Sequence, residues 1–318
     1  MIDEIRRITV PYSNTWEHVQ GPGGNTSVKG KGTMLIKASG YTFKNIDNGI
    51  GLVWVNNDLV KGKLAERLED NLAESIPANV LGSIPEGLRP SMEFEFHAVL
   101  GKYVLHTHSI YVNVVTCCTD SSSILNHIFP DTPFVFVPYI KPGHPLASFI
   151  YKKILGGETA NIYFLKNHGI IVHADSIEEV VSQYNFVQQC IIDHLSLNST
   201  LDNALNNDLF FSEINSGFER MSIKDIRDCI IVPDQSIFFR DKISDVNSLA
   251  DVYFDVEKQK ISINGSAKFM VAAISMLRMI YYVISNHERL SLVSEFISKS
   301  ELDLLHQLSS EKFRGAIL

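Results

Sequence analysis

The sequence predicts an α/β sandwich, and three observations carry that prediction. Runs of β-formers punctuated by glycine open the chain, as in NTSVKGKGTMLIKASG and GLVWVN. Short buried strands then alternate with helical stretches as far as about residue 200. Apolar residues make up 45% of the 318 and charged residues 20%, the balance of a folded chain rather than a disordered one.

Taken in order, residues 25–40 read as two short strands joined by a glycine turn, and residues 51–56 as a third. LVKGKLAERLEDNLAESI is charge-rich and reads as a loop or a solvated helix. From Ser91 the pattern turns helical to about Leu100, YVLHTH is a buried strand, and SIYVNVVTCCT is the helix or strand that follows. TPFVFVPY gives another strand, which leads through IKPGHP into the helix LASFIYKKIL. ANIYFLKNHG and IIVHA form strands with a tight turn at Asn167 to Gly169. DSIEEVVSQYNFVQQCIIDHLSL is a long amphipathic helix capped by its Asp or its Ser.

NSTLDNALNNDLF looks like a connector, so a main domain is expected over residues 1–205 and a smaller C-terminal α/β extension of unknown role over 206–318. In the extension VYFDVEKQKISING reads as a hairpin, AKFMVAAISMLRMIYYVIS as an apolar helix and ELDLLHQLSSEKF as a terminal helix. No recognisable site stands there.

The formal net charge is −8, with Lys and Arg scattered rather than clustered, which argues against a nucleic-acid partner. Cys117, Cys118, Cys190 and Cys229 form no CxxC pair, and free thiols fit a reducing cytosol. The first 18 residues lack the apolar core of an export signal, and the longest apolar run, Phe269 to Val283, is broken by Ser275 and Arg278. The expectation is a cytoplasmic chain with neither a nucleic-acid nor a membrane partner.

Alternation along YVLHTH puts His106 and His108 on one face with Thr107 opposite, so both imidazoles reach one point from a stiff backbone. A histidine pair by itself is also what two hydrogen-bonded core histidines look like. His168, in KNHG where a strand ends at a glycine turn, supplies a third ring, and three histidines with an open position are a common catalytic zinc arrangement. Glu93 follows Pro90 and Ser91 at a helix start, where its blandest role is to complement the helix dipole. Glu95 lies about 200° further round the helix, so the two carboxylates do not share one site.

GPGGNTSVKGKGTMLIKASG offers small residues whose N–H groups and hydroxyls can converge on an anion, although glycine clusters are more often turns. Lys29 and Lys31 read as a solvated strand edge. Tyr139 and His144 are candidates for a second acid, and both more often pack or cap a loop.

GGNTS at 23–27, KASG at 37–40, PSMEFEFH at 90–97, HTH at 106–108 and NHG at 167–169 stand in a specific order, and on these motifs the chain resembles the class II aldolase/adducin family over roughly residues 8–200. The resemblance implies an α/β/α sandwich around a central, mainly antiparallel sheet, and a homotetramer. It implies that His106, His108 and His168 bind zinc or another divalent metal, and that Glu93 moves the proton. It also implies that Asn25, Thr26, Ser39, Gly40 and Ser91 hold a substrate phosphate. The implied activity is that of a lyase, an aldolase cleaving a ketose, in first place a sugar phosphate, through a metal-stabilised enediolate. A dehydratase of the same family would use the same residues. A non-catalytic adducin-like binding module would have lost the histidines that this chain keeps.

The sequence departs from the family pattern at Ala38 and Met92, where phosphate-specific aldolases carry hydroxyls, in a shorter Glu93–His106 segment, and in the C-terminal extension. Fewer hydroxyls imply a weakened phosphate site or a different polar end group, with Lys37 as the compensating charge if it faces inward.

Overall fold

A computed structural model describes residues 1–70, 76, 87–198, 229–239, 243–244, 252–255, 260–263 and 266–307. Seven strands form its central sheet: β1 Asn25–Gly30, β2 Thr33–Lys37, β3 Leu52–Asn56, β4 Tyr103–Thr107, β5 Val135–Val137, β6 Ile162–Leu165 and β7 Gly169–Ala174. Their order is β3-β2-β1-β4-β7-β6-β5. Every pairing is antiparallel except that of β5 with β6. The mainly antiparallel sandwich expected from the sequence is therefore the fold observed.

Period-two alternation divides the core between the two faces of this sheet. Leu105, Ile170 and Val172 pack with residues of α1 (Ile2–Thr9), α5 (Ile110–Thr116) and α8 (Ile177–Leu195). Their neighbours Val104 and Ile171 point the other way, towards Phe96 of α4 (Phe94–Val99) and towards Leu146 and Ile150 of α7 (His144–Leu155). Helices α2 (Phe43–Asp47), α3 (Asn57–Glu66) and α6 (Ser121–Ile128) complete the layers.

Local chemistry explains where each ambiguous stretch resolves. The polar segment after β3 begins as a helix because Asn56 caps it, accepting from Leu59 N at 2.9 Å, and because Val60 and Leu64 are buried. SIYVNVV is helical, with Ser109 accepting from Val112 N. Ser176 rather than Asp175 caps α8, through Glu179 N at 3.2 Å. The helix expected from Ser91 starts at Phe94 instead. Ser91 N donates to Lys37 O at 3.1 Å and Ala38 bridges Pro90, so residues 90–91 run beside the end of β2.

After the sheet come α9 (Pro233–Phe239), β8 (Ile243–Ser244), β9 (Val252–Asp255), β10 (Lys260–Ile263), α10 (Ala267–Leu290) and α11 (Lys299–His306). β9 and β10 pair antiparallel, as the hairpin reading requires, and β8 lies parallel to β9. The boundary at 205/206 and, apart from Asn198, the connector NSTLDNALNNDLF lie outside the described residues, as does the end of ELDLLHQLSSEKF beyond residue 307. Helix α10 is long and apolar enough by length and composition to cross a membrane, yet more than half of that stretch is buried. Ala273, Met276, Leu277, Ile280 and Val283 join the same core cluster as Val112 and Val115 of α5. His287 Nε2 of α10 donates to Val114 O at 2.8 Å. Its apolar composition is thus that of a core helix.

Candidate active site

His106 and His108 stand at the end of β4, His106 on the face opposite Leu105 and Thr107, while His168 arrives from the turn between β6 and β7. Asn167 opens that turn with φ 53°. Gly169 closes it at φ 153°, where a Cβ would overlap Thr107 O, so only glycine lets β7 come this close to β4. The three buried rings bring one nitrogen each to within 4.8 Å of one another. Nε2 of His106 and Nε2 of His108 are 3.2 Å apart. Ile170 O lies 2.9 Å from Nδ1 of His106 and takes its proton in a hydrogen bond, so the Nε2 lone pair faces the cluster.

Glu93 occupies the cap position of α4 but makes no capping bond with its side chain. Its carboxylate turns to the histidines instead, with Oε2 3.4 Å from His106 Nε2 and Oε1 3.5 Å from His168 Nε2. Asn25 Nδ2 donates to Glu93 Oε2 at 2.8 Å and to Ser91 Oγ at 3.0 Å. His97 in turn bonds Asn25 Oδ1, and Ser27 Oγ lies 2.7 Å from His97 Nδ1. A hydrogen-bonded line thus runs from β1 through α4 to the carboxylate.

Glu95 points away, as its angle on the helix predicts. His144 Nδ1 lies 2.6 Å from Glu95 Oε2, and Ile76 N donates to Oε1 at 2.7 Å. That buried pair removes His144 from the cluster, and Tyr139 does not line the cleft beside it. Lys29 departs from the solvated edge that the sequence suggested: it is half-buried and donates to His97 O at 2.5 Å. Burial, with Lys61 adding repulsion, pushes its ammonium down to about 7.

Burial works against charge on the His108 and His168 rings. Burial pushes His168 down to about 3 against the pull of Glu93, and pushes His108 down against that of Asp234. Burial would raise Glu93, but His106 and His168 outweigh it and hold the carboxyl well below its usual range.

The cluster opens into a cleft of about 430 Å³, counting its mouth and the solvent in it. Asn25, Ser39, Gly40 and Ser91 line it, together with Lys37 and Met92. Thr26 does not. It pairs across the sheet with Leu105, one step from the Asn25–His106 pair, so strand alternation turns its side chain to the opposite face. The Ala38 side chain is likewise directed into the core with Met34, Ile36 and Val53, so a hydroxyl there would not line the cleft. Lys37 does face inward, and its Nζ donates to Pro22 O at 2.9 Å and Tyr41 O at 2.7 Å.

Among the described residues sequence reasoning gave no role to His97, which bonds Asn25, and missed a buried carboxylate. Asp234, at the start of α9, places Oδ2 3.3 Å from His108 Nδ1. It comes from a part of the chain where no motif was found, and no local pattern marks it.

The family model for the class II aldolase and adducin N-terminal domain matches residues 13–191, more than half of the chain. The chain belongs to this family. The N-terminal class II aldolase domain of a conserved protein from Thermoplasma acidophilum is similar in structure, with a TM-score of 0.51 at 23% identity over 61% of this chain and 93% of that one. L-fuculose-1-phosphate aldolase from Thermus thermophilus gives a TM-score of 0.40 at 18% identity, over 61% of this chain and 92% of that one. A curated relative, named uncharacterized oxidoreductase YuxG, from Bacillus subtilis (strain 168), is 31% identical over 91 residues. That match takes in 28% of this chain and only 13% of the relative's length. In this class II aldolase-family chain the matched region holds Glu93 and all three clustered histidines, while Asp234 lies outside it.

Proposed function

We propose that the chain is a zinc-dependent class II aldolase that cleaves a ketose, in first place a sugar phosphate. The observation that carries this reading is the Glu93 carboxylate set 3.4 and 3.5 Å from two of three buried histidines beside a polar cleft.

The donor set fits a divalent ion. Three imidazoles and one carboxylate are ligands that zinc takes readily. Among the described residues Glu93 Oε1 is buried without a hydrogen bond. Two Nε2 lone pairs facing each other at 3.2 Å repel unless a proton or a cation lies between them. His106, His108 and His168 would hold the ion, which when bound polarises a sugar carbonyl and offsets the negative charge that develops as a carbon–carbon bond breaks.

The chain's own groups do the rest. Asn25 holds Glu93 in place through Oε2. In the cleavage direction the Glu93 carboxylate takes up the proton released by the substrate hydroxyl that becomes the aldehyde and passes it to carbon of the departing fragment, and in condensation it removes the proton from that carbon and returns it to the new hydroxyl. Ser39, Gly40 and Ser91 line the cleft where an anionic or hydroxylated end of the substrate would lie, and Lys37 adds positive charge there. The homotetramer implied by the family belongs to this proposal as well.

The test joins metal analysis to product analysis. Stoichiometric zinc, with ketose phosphates split into an aldehyde and a three-carbon ketone fragment, is the expected result. Loss of water from the same substrates would make the chain a dehydratase. Absence of bound metal after zinc reconstitution would leave a non-catalytic binding module.

A further inference from the structure

We propose that Asp234 is a positioning residue of the metal site: its carboxylate holds the Nδ1 proton of His108 and so keeps Nε2 of that ring turned to the metal. The inference rests on the metal reading above and adds to it a residue beyond the 13–191 family match.

Asp234 Oδ2 lies 3.3 Å from His108 Nδ1, and both residues are buried. Among the described residues Nδ1 makes no hydrogen bond, and this ion-pair contact is the one it has with an acceptor. An ionised carboxylate only accepts, so the proton of a neutral ring is stabilised on Nδ1 and the lone pair is left on Nε2. His106 reaches the same tautomer by another route, since Ile170 O is its Nδ1 partner at 2.9 Å. One ring is thus set by β7 and the other by the C-terminal part of the chain. A carboxylate behind a ligating histidine fixes the orientation of the ring and raises its basicity.

Gly23 provides the room for this contact. A Cβ at that position would stand 2.9 Å from both Asp234 Oδ2 and His108 Nδ1. The segment carrying Asp234 is tied down independently. Gln235 Oε1 accepts from Ile231 N at 3.0 Å, and Asn167 Nδ2 donates to Ile231 O at 2.9 Å and to Glu295 O at 2.7 Å. Asn167 is the neighbour of His168. The C-terminal segment therefore touches two of the clustered histidines, His108 through Asp234 and His168 through its turn.

The experiment measures zinc affinity of the full chain by competition with a chromophoric chelator for wild type, Asp234→Ala, Asp234→Asn and His108→Ala. In parallel, nitrogen NMR of the histidine-labelled zinc form reports which ring nitrogen of His108 is protonated. We expect Asp234→Ala to bind zinc about 10- to 100-fold more weakly, the usual effect of removing a carboxylate behind a ligand. Asp234→Asn, which keeps an acceptor of the same shape, should lose less and still show a changed His108 Nδ1 signal. It carries the test should Asp234→Ala not fold. A folded variant with wild-type zinc affinity and an unchanged His108 signal would overturn the proposal. A lower melting temperature with both readouts unmoved would do the same, since that is what a merely structural role predicts. If wild type itself bound no zinc, the metal reading would fail too, whereas loss in His108→Ala alone would spare that reading and sink only this one.

Discussion

Asn25 Nδ2 lies 2.8 Å from Glu93 Oε2 while the other end of the same amide is bonded to His97. A residue that family resemblance assigns to phosphate is therefore engaged, in this chain, in orienting the acid. Asn25→Ala should lower kcat by about 10²-fold, the cost of misplacing a reacting group by about 1 Å, with little change in KM. Steady-state kinetics separate the two, and a rise in KM alone would return Asn25 to the phosphate site.

Glu93→Gln should reduce turnover by about 10² to 10⁴, the range for a positioned acid or base. The fold should persist, as circular dichroism would show. A variant with nearly wild-type kcat would remove Glu93 from the mechanism.

Glu95→Gln separates stability from chemistry. Glu95 is fully buried and bonded to His144 and Ile76 N, so the substitution should destabilise the fold by about 1–3 kcal/mol. Turnover per folded molecule should stay unchanged. Thermal unfolding alongside active-site titration measures both, and equal losses of kcat at Glu93 and Glu95 would contradict the division of roles.

Met92→Ser places a hydroxyl on the cleft wall, where Met92 already lies, whereas Ala38 faces the core. One added hydrogen bond to a charged group is worth roughly 1.5–3 kcal/mol. Competitive inhibition by phosphoglycolohydroxamate should tighten by about 10- to 150-fold. An unchanged inhibition constant would mean that no phosphate is read at this wall.

Glu4 governs part of the acid limb of stability. The hydrogen bond from Tyr103, then the Met1 amino group and Lys102, hold its carboxyl at about 2 instead of 4.5. A depressed carboxyl stabilises the fold above the unfolded value and loses that contribution as pH falls, so the window runs from about 4.5 down to about 2. Glu4→Gln should flatten the dependence of melting temperature on pH in that window. A profile identical to wild type would show that the contact carries no linkage.

The parts of the site that the sequence reveals are those whose geometry is set within one strand or one turn. HTH on a strand and NHG at a glycine turn place their rings by local alternation, and the angle between Glu93 and Glu95 follows from helical periodicity. Alternation also excludes Thr26, although motif matching had included it. Asp234 is different, because its place beside His108 is fixed by packing between segments far apart in the chain. Lys29 was misjudged for a related reason: only the neighbouring α4 decides whether a strand-end lysine meets water or the carbonyl of His97.

The docking of α10 on α5 also has a consequence in time. Residues Val112 and Val115 are buried in a core cluster that includes α10, a helix that ends at Leu290, whereas α5 ends at Thr116. A ribosome adding about 5–20 residues per second needs roughly 9–35 s to cover that interval. Throughout it the partner helix of α5 is unfinished, so the nascent chain presents this apolar face to the cell before it can close, and the late helix sets the earliest moment at which the core is complete.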